Sequence, residues 1–189
     1  MNPNIIIIHG SYGNPNHNWF PWLKEELEKL NCRAFVPEFP TPKNQNLNTW
    51  LNIFKNYETY LDENSILVGH SIACAFILSI LEKINIKIKA SFLVAGFIGP
   101  LGNEYYDSIS KTFTQKEFNW GKIKSNCSNF FVYSSDNDPH VQLSKGHEIA
   151  KNLDSKLILV KNAGHFNTQS SYTKFELLLD DIKRVISKL

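Results

Sequence analysis

Cysteine is scarce: Cys32, Cys74 and Cys127 are the only three in 189 residues. Odd in number, widely spaced and without a C-x-x-C pair, they exclude a disulfide framework and a cysteine zinc site. They fit a reducing compartment, which makes the cytoplasm the expected location. Long apolar runs are also missing. The opening MNPNIIIIHGS has four consecutive isoleucines but no basic residue before them and no small-residue cleavage site, so it does not read as a signal peptide. No run approaches the roughly 20 residues that span a bilayer, so membrane insertion is not expected. Nor is there an excess of one charge. Lys+Arg 20 against Asp+Glu 18 leaves +2, with the basic residues scattered rather than gathered into the stripe that nucleic acid requires. Internal repeats and low-complexity linkers are absent as well, so residues 1–189 read as a single domain.

What is present is an ordinary globular composition, 42% hydrophobic and 20% charged, in a chain long enough to bury one substantial core. Short apolar runs predict strands at Asn4–His9, Arg33–Glu38, Ser65–Gly69, Ala90–Ala95, Asn129–Ser134 and Lys156–Val160. Amphipathic stretches predict helices at Trp19–Leu30, Leu47–Leu61, Ser71–Lys83, Val141–Asn152 and Tyr172–Leu189. Strands that alternate with helices predict an α/β fold: one doubly wound, mainly parallel six-stranded sheet with helices on both faces. Phe97–Ser128 breaks the rhythm. It opens with Gly99, Pro100 and Gly102 and continues through Tyr105, Tyr106, Phe113, Phe118 and Trp120, which reads as a long functional connection too short for a cap domain.

Open α/β sheets bind ligands at the carboxyl ends of their strands. Ser71 lies there, in Gly69-His70-Ser71-Ile72-Ala73, a G-x-S-x-A form of the nucleophile elbow between a predicted strand and an apolar helix. The competing reading is a plain N-cap serine. A serine nucleophile needs a base. His165, after the last strand in VKNAGHFN, is favoured, with His140 in reserve; His70 is expected to bond locally and His147 to lie on a helix surface. The orienting carboxylate is assigned to Asp138, which Pro139 biases toward an extended backbone, in preference to Asp136. Backbone N–H groups of Ile72 and of Ser11 or Tyr12 are candidates for the oxyanion hole. Phe97, Phe113 and Trp120 are candidates for the substrate pocket. His9 and His17 lack acidic companions at ligand spacing, so no metal is expected.

These residues resemble a known family, the small serine hydrolases that include retinoblastoma-binding protein nine and its bacterial relatives, within the α/β-hydrolase superfamily. The resemblance runs over nearly the whole chain, through IIIIHGSYGNPNHNWFPWLKEEL, VGHSIACA, SDNDPHV and AGHFN. It implies a sheet without a cap domain, no metal or organic cofactor, and a Ser-Asp-His triad at Ser71, Asp138 and His165. The fifth elbow position is commonly Gly in this family. Here it is Ala73, which adds a methyl where strand and helix pack closely.

The expected activity is hydrolysis of a small acyl substrate, an ester, thioester or activated amide, through an acyl-enzyme. A second reading is a hydrolase-fold module that binds a protein partner through an aromatic surface around Trp19 and Trp22. A third, in which Cys74 acts as a thiolate, lacks a partner histidine.

Overall fold

The structure, a computed structural model, describes residues 2–187. Six parallel strands form one sheet: β1 (Asn4–Ile8), β2 (Arg33–Phe35), β3 (Ile66–His70), β4 (Ala90–Val94), β5 (Phe130–Ser135) and β6 (Leu157–Val160). Their order is β2-β1-β3-β4-β5-β6. The helices are α1 (Phe20–Lys29), α2 (Leu47–Glu58), α3 (Ile72–Leu81), α4 (Glu104–Thr114), α5 (Trp120–Ser125), α6 (Leu143–Asn152) and α7 (Glu176–Ile186), with a 3-10 turn at Thr168–Ser170 before the last.

The period-two geometry of a strand sends alternate residues to opposite faces, and β1 uses both. Ile5 and Ile7 join a core with Phe20, Leu23 and Leu27 of α1 and with Leu178 and Ile182 of α7. Ile6 and Ile8 join a second core with Trp50 and Phe54 of α2, every residue of α3 but Ser79, Phe113 of α4 and Ile149 of α6. The sheet is therefore covered on both sides, and each fully buried large apolar side chain contributes about 1.5–3 kcal/mol. α3 differs from the other helices. All ten of its residues are buried, because α4 and α5 cover the side turned away from the sheet.

The predicted elements appear, with ends moved. β2 stops at Phe35 because Pro37 has no N–H to give to a ladder. The last helix starts at Glu176 rather than Tyr172, since Asn167 caps the 3-10 turn and Phe175 packs into the core in a non-helical conformation. Lys188 and Leu189, the end of that predicted helix, lie outside the described residues. Phe97–Ser128 is the larger correction. It contains α4, capped by the Asn103 side chain accepting from the Tyr106 N–H, and α5, capped likewise by Asn119.

The order places β1 beside β3, where the chain reverses its direction of winding. Such a switch point opens a crevice at the carboxyl ends of the two strands. The crevice lies between the turn after β1 and the start of α3. No helix among the described residues is long and apolar enough to cross a membrane.

Candidate active site

β3 ends at His70 and α3 begins at Ile72, so the reversal falls on one residue. Ser71 takes φ 59° and ψ −124°, a conformation that costs a non-glycine residue about 1–3 kcal/mol. Its N–H donates to the Val94 carbonyl at 2.9 Å, and its carbonyl accepts from the Cys74 N–H at 3.0 Å. The hydroxyl makes no cap hydrogen bond to α3. The N-cap reading therefore fails on geometry, and the side chain borders two cavities. The close approach of strand and helix falls on Gly69, where a Cβ would lie 2.7 Å from Ile77 Cδ1 and 3.0 Å from the Ala73 carbonyl carbon. The contact is with the Ala73 backbone and not with its methyl.

Across the crevice, the loops after β5 and β6 bring a carboxylate and an imidazole together. His165 Nδ1 lies 2.8 Å from Asp138 Oδ2, and Asp138 Oδ1 accepts from the His140 and Val141 N–H groups at 2.8 and 3.0 Å. Burial opposes the Asp138 charge, but the hydrogen bond from His165 and the attraction between the two groups outweigh it, so the carboxyl stays below its ordinary range. With Nδ1 donating to the carboxylate, neutral His165 carries its free lone pair on Nε2.

Asp136 does not reach the imidazole; its Oδ1 accepts from the Asn162 N–H at 2.8 Å. It belongs to a brace between the loops that sequence reasoning missed. Ser135 Oγ accepts from the Ala163 N–H at 2.9 Å, and Asn137 Oδ1 accepts from the Gly164 N–H at 2.8 Å. Gly164 has φ 54°, and a Cβ there would meet Ser170 Oγ at 2.1 Å, so the turn that presents His165 needs glycine twice over. Only the run of small polar residues in SSDNDP hinted at this brace.

Two cavities meet at Ser71 and His165. One, of about 450 Å³, is bordered by the turn after β1 and by Asn167, Thr168 and Gln169. The other, of about 330 Å³, is walled by Phe97, Leu101, Tyr106 and Val141. Ile72 is the first residue of α3, so its N–H has no acceptor within the helix and is free for an oxyanion. Ser11 borders both cavities. Tyr12 is a correction: its N–H donates to Thr41 Oγ1 at 2.8 Å and is already engaged. Phe97 lines the second cavity, but Phe113 and Trp120 do not. Phe113 is fully buried with its ring 4.9 Å from that of Trp50, because α4 turns it toward the sheet, and Trp120 packs on Phe118 at the start of α5. Leu101, Tyr106 and Val141 take their place, and of these only Tyr106 stood out in the sequence.

A model of the serine hydrolase family matches residues 5–184. The chain belongs to that family. It is 30% identical over 190 residues to YdeN of Bacillus subtilis, covering 100% of this chain and 98% of that protein. Serine hydrolase RBBP9 of Rattus norvegicus is 26% identical over 185 residues, covering 96% and 95%. The crystal structure of the B. subtilis ydeN gene product superposes with a TM-score of 0.92, covering 98% of this chain and 100% of that one. Est1E from Butyrivibrio proteoclasticus, at 16% identity, 99% and 88% coverage and a TM-score of 0.74, shares the fold.

This serine hydrolase gives its other histidines structural partners. His9 Nε2 accepts from the Phe39 N–H at 3.0 Å, which leaves the proton on Nδ1, beside the Gly10 carbonyl at 2.9 Å. His140 reaches Asp138 through its backbone N–H, while its ring packs against His165 at 5.0 Å. His147 is exposed on α6. No group of three or more His, Cys, Asp or Glu among the described residues is arranged to hold a metal. Cys74 is buried, its Sγ donating to the Gly69 carbonyl at 3.3 Å, and burial pushes its thiol up, away from thiolate chemistry. Trp19 is also fully buried, its Nε1–H donating to the Phe166 carbonyl at 2.9 Å, so it offers no surface to a partner.

His70 is buried and donates from Nε2 to the His165 carbonyl at 2.8 Å. Burial, with His165 adding to it, lowers its pKa from 6.5 to about 3. Because the folded value lies below the unfolded one, the unfolded chain takes up the proton first as pH falls. The stability from a neutral His70 is thus complete above the unfolded value and is lost progressively below it. By pH 5 the hydrolase is expected to lose about 2 kcal/mol through this residue. Urea denaturation at pH 7 and pH 5 tests this: the loss should shrink in His70→Gln, and an equal loss in both proteins would refute the assignment.

Proposed function

We propose that this serine hydrolase cleaves small carboxylic esters, thioesters or activated amides through an acyl-enzyme on Ser71. The reading is carried by the strained Ser71 backbone, φ 59° at the strand-to-helix turn with no cap bond from the hydroxyl. In it, Ser71 Oγ attacks the acyl carbonyl carbon and passes its proton to His165 Nε2. Asp138 holds the tautomer and stabilises the imidazolium. The N–H groups of Ile72 and Ser11 receive the developing oxyanion, a contribution worth about 10²- to 10³-fold per donor in rate. Collapse of the tetrahedral intermediate expels the leaving group, protonated by His165. Water, activated by the same imidazole, then releases the acid.

The chemistry needs no cofactor, and the whole chain acts as one domain. The free, buried states of Cys32, Cys74 and Cys127 support a reducing, cytoplasmic setting. The test is a fluorophosphonate probe, which reacts with activated serines, followed by peptide mass spectrometry. An adduct on Ser71 is expected. A folded protein that forms none, or forms it on another serine, would overturn the reading.

A further inference from the structure

The two cavities beside Ser71 share a property that the fold does not require. Among the described residues, no Asp, Glu, Lys or Arg borders either of them. One has Phe97, Leu101, Tyr106 and Val141 in its wall, the other has Thr168 and His17, and the carboxamides of Asn167 and Gln169 border both. Asp138, the nearest charge, borders neither cavity and is held behind His165, and two further charges close in the chain are engaged elsewhere. Lys145 Nζ donates to the Ile98 carbonyl at 2.9 Å and lies 3.9 Å from Glu148. Asp107 accepts from the Leu101 and Gly102 N–H groups at 2.6 and 3.0 Å.

We propose that the site selects substrates uncharged on both sides of the scissile bond, with an aliphatic or aromatic acyl group in the Phe97–Leu101–Tyr106–Val141 cavity and a neutral, hydrogen-bonding leaving group in the His17–Thr168 cleft. The inference rests on the proposed Ser71 acyl-enzyme. A charge carried into either cavity gives up part of its water and meets no counter-ion in the wall, whereas a neutral group of the same shape gives up less. The His17, Asn167, Thr168 and Gln169 side chains can satisfy a hydroxyl, ether or amide, but none supplies a fixed charge for a carboxylate, phosphate or ammonium. Anions are excluded more strongly than cations, because the Asp138 carboxylate lies directly behind His165. Burial and the neighbouring His165 keep His140 in its neutral form, so it does not reverse this preference. Thioesters of thiols with a carboxylate close to the sulfur are disfavoured for the same reason, and thioesters of neutral thiols are not.

The test uses pairs of equal shape. The p-nitrophenyl ester of 6-methylheptanoate is compared with the monoanionic hemiester of adipate, and that of 5,5-dimethylhexanoate with the cationic 4-(trimethylammonio)butanoate. The leaving-group side is tested with the S-butanoyl thioester of 3-mercaptopropanamide against that of 3-mercaptopropanoate, which differ only in carboxamide against carboxylate. Each rate is divided by that of hydroxide-catalysed hydrolysis of the same compound. The expected kcat/KM of each charged member is more than about tenfold below that of its neutral partner, and the anionic acyl group should suffer most. A ratio of about tenfold or less in any pair overturns the proposal, taking one tenfold step as 1.4 kcal/mol of discrimination. Hydrolysis that survives Ser71→Ala, or no hydrolysis of any neutral compound, overturns instead the acyl-enzyme reading beneath it.

Discussion

Replacing Ser71 with alanine is expected to lower kcat for a p-nitrophenyl ester on the order of 10⁴- to 10⁶-fold while the protein stays folded. The two halves of this expectation come from the same observation. The Ser71 hydroxyl makes no cap bond to α3, so its removal leaves no helix donor unsatisfied. Alanine bears the positive φ at a cost similar to serine's, because both carry a Cβ. The thermal midpoint should therefore move by no more than about 2 °C. What is lost is the atom that forms the acyl bond in the proposed mechanism. Water attacking directly, with the Ile72 and Ser11 donors still in place, accounts for the residual rate. Turnover within tenfold of the parent would remove Ser71 from the chemistry, and a collapsed midpoint would return it to a structural role.

Asp138→Asn is expected to cost about 10⁴-fold in kcat with binding of a neutral ester little changed. The direction follows from what surrounds each carboxylate oxygen. Oδ1 sits before two N–H donors, those of His140 and Val141, so that position accepts an oxygen and rejects an amide nitrogen. An asparagine is forced to put its carbonyl there and its NH₂ toward His165 Nδ1. Nδ1 must then accept, which moves the imidazole proton to Nε2 and removes the base from Ser71. The rate should recover partly at alkaline pH, where hydroxide does the work of the missing base. Far-ultraviolet circular dichroism of the variant should match the parent. A loss below about tenfold would mean that His165 is oriented by something other than this carboxylate.

Much of this was legible because burial writes itself into sequence. The run Ile5–Ile8 reads as a strand covered on both faces, and it serves two cores. Ser71, Asp138 and His165 each follow a strand that the apolar pattern reveals, so the crevice could be located before the sheet order was known. α4 was illegible for the opposite reason. It buries only Ser110, Phe113 and Thr114, and Gly99, Pro100 and Gly102 ahead of it read as loop. Missing the helix also hid its rotation. Phe113 was assigned to the pocket although α4 aims it at Trp50, while Tyr106 reaches the pocket in its place. The state of the Tyr12 N–H was beyond reach altogether, because its partner Thr41 lies in an irregular segment whose path no periodicity records.

The complete burial of α3 has a consequence for how the site comes apart. Ser71 is joined to the helix with no solvent face, beside the central strands, and the backbone amides there should open only when the whole molecule unfolds. His165 hangs from β6, an edge strand whose residues are all partly or fully exposed. The two halves of the proposed couple therefore belong to cooperative units of unequal strength. On warming, β6 and its loop are expected to separate before the elbow does, so that activity is lost while α3 and the central strands are still intact. The edge of the sheet that carries the base, and not its centre, is then expected to set the temperature at which the hydrolase stops working.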